Sequence, residues 1–74
     1  MTNRLHVYIE YADHRETPGS VRGDRKVWVV AEIAKSMFRT ARDAGRHPVN
    51  WVVETDDREV VCWGTDGPAH YEGI

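Results

Sequence analysis

Residues 51–63 read WVVETDDREVVCW, two tryptophans and two valine pairs placed almost symmetrically about a polar corner. A strand alternates its side chains between two faces, so a hairpin with one buried face needs apolar residues at one parity only. This hairpin has them at both. Asp56 and Asp57, flanked by Thr55 and Arg58, supply the turn chemistry. A two-residue turn pairs Val53 with Val60, Val52 with Val61 and Trp51 with Cys62. Val49, Trp51, Val53, Val60 and Cys62 then form the core face, and Val52, Val61 and Trp63 the other. That register also sets Glu54 against Glu59, an unfavourable like-charge pair. A three-residue turn pairs Trp51 with Trp63 and Val53 with Val61 instead. Either way the sheet is apolar on both sides.

The rest of the chain supplies one strand and one helix to complete it. Residues 4–12 alternate cleanly, with Leu5, Val7, Ile9 and Tyr11 on one parity and Arg4, His6, Tyr8 and Glu10 on the other, which predicts a half-buried strand. Residues 13–23 contain Pro18-Gly19 and Gly23 without periodicity and read as a long loop. Over 24–45, Val27, Val30, Ala31, Ala34, Met37, Phe38 and Ala41 recur at helical spacing, while Trp28, Glu32, Lys35, Arg39 and Arg42 fall on the opposite side. Asp24 suits the N-cap, Gly45 the left-handed residue after the helix, and Pro48 bars its continuation. Residues 48–65 are the hairpin and 66–74 a loosely ordered tail. The expected fold is α+β, a two-layer β-α-β-β arrangement with a three-stranded sheet and one long helix on one face. A right-handed crossover would join the first two strands if they are parallel, and the third strand can lie between them.

Seventy-four residues make one domain, 1–74. A chain this short hides only about 60 % of its unfolded surface, so small domains commonly add a disulfide, a metal or a second subunit. Cys62 is the single cysteine, which excludes an internal disulfide and makes a buried thiol the expectation. The net charge of −2 leaves no basic footprint for non-specific nucleic-acid binding. The N-terminal residues lack a basic start followed by an apolar run, and no stretch is long and apolar enough for a membrane helix, so a cytoplasmic protein without membrane contact is expected. Arginine outnumbers lysine eight to two, as in GC-rich coding sequence, which fits a bacterial or phage accessory protein.

The candidate chemistry is sparse. His6, His14, His47 and His70 have no zinc-ligand spacing, so neither metal nor cofactor is expected. Asp13, His14, Arg15 and Glu16 cluster after the first strand. Of these, His14 and Glu16 offer the best place for an acid–base pair, as in a small ribonuclease-like hydrolase, yet no phosphate cradle accompanies them. Arg22, Arg25 and Lys26 surround the expected helix N-terminus and offer a nucleic-acid site, with His6, Tyr8 and Trp63 as stacking partners on the sheet. Glu10, Glu54 and Glu59 on or near that sheet oppose a phosphate backbone. No catalytic residues are assigned. The leading expectation is a non-enzymatic protein–protein interaction domain, a homodimer or a binder of another protein, that uses the second apolar sheet face through Tyr8, Val52, Val61 and Trp63.

Overall fold

The computed structural model describes residues 4–72. Across them the chain runs β1 (Arg4–Glu10), β2 (Arg15–Arg22), α1 (Val27–Asp43), β3 (Asn50–Thr55), β4 (Val60–Gly64) and β5 (His70–Tyr71). The strands form one antiparallel sheet in the order β2-β1-β3-β4-β5. Helix α1 packs across β1, β3 and β4 on one face. The α+β class and the single helix layer agree with the sequence reading. The three-stranded sheet does not.

The first correction is β2, where a loop was expected over 13–23. It pairs with β1 from Glu10↔Arg15 to Arg4↔Arg22. Thr17 and Pro18 fall where the register shifts between Val7 and Ile9, a bulge on an edge strand. Proline is tolerated there because no ladder hydrogen bond requires its missing N–H. Arg4 further occupies this strand, its guanidinium donating to the Ser20 carbonyl and hydroxyl. These features blunt the edge against pairing with another strand.

The second correction follows from the first. β2 carries the chain back to the end where β1 began, so α1 must return it, and β3 enters antiparallel to β1. The parallel crossover expected between β1 and β3 is not formed; α1 instead links β2 to β3, which run parallel with β1 between them. β3 lies between β1 and β4, not outside them. The expected tail contributes a further strand, β5, which pairs Cys62↔Tyr71 and Trp63↔His70. Residues 73–74 of that tail lie outside the described residues.

Helix α1 starts later than expected. Lys26 is its N-cap, without a side-chain hydrogen bond, and Asp24 instead accepts from Arg22 at 3.1 Å. The C-terminus forms as the glycine suggests. Gly45 adopts φ 79°, its N–H donates to Arg42, and Arg46 N–H donates to Ala41, the paired bonds of a Schellman motif.

The hairpin register resolves in a way neither turn length alone provides. Thr55 N–H donates to Glu59 at 2.9 Å across the three residues Asp56, Asp57 and Arg58, with Arg58 in the left-handed region at φ 66°. Glu54 then opposes Val60, so the two glutamates are not paired. Val61 is the extra residue of a bulge, after which Val53 faces Cys62, Val52 faces Trp63 and Trp51 faces Gly64. A three-residue turn plus one bulge restores the parity of the two-residue reading beyond the bulge, with the partners of Val53, Val52 and Trp51 moved along by two. Trp51 therefore points to the helix and Trp63 away from it.

The core lies between α1 and the sheet. Leu5, Val7 and Ile9 from β1, Val30, Ala31, Ala34 and Phe38 from α1, and Trp51, Val53 and Cys62 from the hairpin are all buried. Trp51 is its largest member, and its indole donates to the Thr65 carbonyl at 2.9 Å. Gly64 sits opposite, where an added Cβ would lie 3.0 Å from the indole ring. Glycine is there because the ring needs the space.

Candidate functional site

Tyr8, Val52, Trp63 and His70 form one continuous row across the face away from α1, each paired with the next. Three of the four residues expected to form an interface are thus brought together. Val61, the fourth, is the bulge residue and is half-buried against the core. The row is not bare. Arg15 reaches over it from β2, its guanidinium 3.9 Å from the Tyr8 ring centroid and 2.7 Å from Glu54 on β3. Val52 is 7 % exposed and Glu54 6 %. A cation over an aromatic face, paired to a carboxylate, satisfies both groups while excluding water from the valine between them. At the other end Trp63 stacks on His70 at 4.3 Å and donates to Glu72, yet remains 37 % exposed. No signal in the sequence marked Arg15 for this role, because β2 was itself hidden.

A second apolar surface lies on the opposite layer. Trp28 is 59 % exposed and Ile33 38 %, and with Val29 and Met37 they border a shallow depression on the outward flank of α1. Ser36 and Met37 also line a groove of about 500 Å³ between the C-terminal half of α1 and β2. Ile9, Tyr11, Pro18, Ala41 and Ala44 complete its apolar walls. The groove exists because α1 is centred over β3 and leaves the helix-facing side of β2 uncovered. Depression and groove share residues, so a single apolar tract runs from Trp28 to Tyr11. Helical spacing had placed Trp28 away from the core, and the groove could not be foreseen without β2.

The acidic end of this groove gathers the residues that suggested acid–base chemistry. His14 Nδ1 lies 2.7 Å from Asp13 and Nε2 lies 3.2 Å from Glu16, while its ring stacks on Tyr11 at 4.7 Å. Glu16 also accepts from Arg46, whose guanidinium sits 4.9 Å from the Tyr11 ring. Hydrogen bonds from Asp13 and then Glu16 raise the His14 pKa, and those from Arg46 and then His14 lower that of Glu16. Both ring nitrogens face carboxylates, an arrangement that suits the imidazolium. An imidazolium has no lone pair with which to act as a base. Arg15, expected in the same cluster, lies on the other face of the sheet.

Arg22, Arg25 and Lys26 are exposed and adjacent in the connection to α1, but Arg22 is held by Asp24. Asp56, Asp57 and Glu59 border a hollow with Arg4 and Gly23 at the same end of the molecule. Asp56 accepts from His6 at 2.6 Å and from the Arg4 amide. The local field is of mixed sign. Among the described residues no group of three or more His, Cys, Asp or Glu side chains could hold a metal, and no buried side-chain polar atom lacks a partner. No helix among them is long and apolar enough to cross a membrane. No family model, curated protein or solved structure matches the chain.

Proposed function

We propose that this is a non-catalytic protein-interaction domain, acting in the cytoplasm, and that its docking surface is the apolar tract along α1 and the α1–β2 groove. The observation that carries the reading is Trp28, 59 % exposed at the head of that tract. Burying a large aromatic of this kind is a strong source of association energy, and tryptophans are enriched among the residues that dominate interfaces. The paired state of His14 argues against its service as a general base. The buried Cys62, whose thiol burial pushes up to about 11, fits a reducing compartment.

Benzoylphenylalanine placed at position 33 tests this reading in lysate of the source cell. A discrete protein adduct at position 33, absent when the same probe replaces Arg58 in the hairpin turn, is the expected result. Equal labelling at both positions, or none at position 33, contradicts it.

A second reading, self-association through the outer sheet face, rests on Trp63 and Val60, which are 37 % and 41 % exposed on β4. Sedimentation at micromolar concentration separates the two. Loss of a dimer in Trp63→Ser but not in Trp28→Ser supports the sheet face; a monomer throughout removes it. The nucleic-acid reading receives no support of comparable weight, since Asp24 follows Arg22 closely and pairs with it, and Asp56, Asp57 and Glu59 line a hollow beside Gly23.

A further inference from the structure

The cluster at the mouth of the α1–β2 groove has a property that its geometry sets before any partner is considered. Neutral imidazole carries one N–H and one lone pair, whereas the imidazolium carries two N–H groups. His14 has a carboxylate at each nitrogen, Asp13 at 2.7 Å and Glu16 at 3.2 Å. Only the imidazolium can donate to both. Once the ring is neutral and keeps its proton on the shorter contact to Asp13, a lone pair faces Glu16 and that contact becomes repulsive. Glu16 is also the acceptor for Arg46, in the connection between α1 and β3, and Arg46 lies against Tyr11 at the end of β1. Three elements therefore meet through one carboxylate.

We propose that His14 is a proton-sensitive clamp on the groove: charged, it ties the β1–β2 turn to Arg46 through Glu16, and on losing its proton it releases Glu16 and loosens the groove mouth. As a means of regulating docking, this rests on the reading of the groove as a docking surface. The groups facing His14 are Asp13 from its own turn, Glu16 from β2 and the Tyr11 ring from the end of β1, with Arg46 held behind Glu16. Tyr11, Glu16 and Arg46 all line the groove.

The sign follows from linkage. The folded pKa of His14 is raised, chiefly by its bond to Asp13. The clamp is therefore fully closed below the unfolded histidine value of about 6.5, and opens as pH rises through the raised folded value. The groups are solvent-exposed, so added salt weakens the effect.

Nuclear magnetic resonance on the free protein tests the clamp without any partner, so its failure and that of the docking reading are separable. The His14 Cε1–H signal should titrate above the ordinary histidine midpoint. The Met37 methyl, on the groove wall, should move with that same midpoint. In Glu16→Gln, which keeps the shape but not the charge, the His14 midpoint should fall back toward its ordinary value and the coupled Met37 shift should vanish. A Met37 methyl that stays flat while His14 titrates overturns the proposal. So does a His14 midpoint at or below the ordinary value, or a Glu16→Gln protein that titrates like the wild type.

Discussion

The outer face of the sheet and the flank of α1 both carry a large aromatic beside aliphatic side chains, yet they end in different states. On the sheet, Arg15 lies over Tyr8 and pairs with Glu54, and Val52 beneath is buried within the single chain. On the helix flank no side chain among the described residues makes a comparable cover over Trp28 and Ile33, and both remain exposed. The difference teaches that alternation tells which face a side chain occupies, but not whether that face stays open. A long cation from a neighbouring strand can close it.

The comparison presupposes that the two tryptophans of the hairpin occupy opposite faces, and this supplies the largest expected effect. Trp51→Ala removes the biggest fully buried side chain and its bond to Thr65, at a cost of about 3–5 kcal/mol. Urea unfolding should show most of the molecule's stability gone. A loss as large in Trp63→Ala would mean that the outer face is core as well.

Removing the arginine comes next. Arg15→Ala strands the Glu54 carboxylate in a position 8 % exposed and should cost about 1–2 kcal/mol, moderated because Arg15 itself is partly solvated. Adding Glu54→Leu should recover much of that loss, since replacing both partners of a buried pair by apolar groups is often neutral. The same double variant should enlarge the apolar outer face and promote self-association through it. If Arg15→Ala unfolds at the wild-type urea concentration, the cover over Val52 is not what the geometry implies.

The smallest stability effect belongs to the helix flank. Trp28→Ser should change unfolding by no more than about 0.5 kcal/mol, because a side chain already in water loses little. It should nevertheless abolish the crosslinked adduct expected from position 33. Substantial destabilisation would show that Trp28 belongs to the fold and not to a partner.

What the sequence revealed follows the range of the interactions involved. β1, the buried stripe of α1 and the Gly45 terminus rest on contacts within a few residues, and all were legible. The opposite placement of Trp51 and Trp63 was one of two parities the hairpin allowed. β2 was hidden because Pro18 and Gly19 argue for a loop when read alone, and are accommodated once β1 provides a ladder with a bulge at that point. β5 is two residues long and takes its place from Trp63 and Cys62, too little pattern for any periodicity to register. Arg58 holds a left-handed conformation without being glycine, so the turn length was concealed. Missing β2 also concealed the cover on one candidate surface and the existence of the other, since β2 supplies Arg15 over the sheet face and a wall of the groove.

The central claim is that the most open aromatic side chain of the described residues lies on α1, Trp28 at 59 % against 37 % for Trp63 on the outer face of the sheet. Fluorine resonance of 5-fluorotryptophan-labelled protein at low concentration, with a soluble paramagnetic agent added, tests it on all three tryptophans at once. Trp28 should broaden most, Trp63 less because His70 stacks on it, and Trp51 not at all. A Trp63 signal that broadens more than that of Trp28 would contradict the account and return the interface to the sheet.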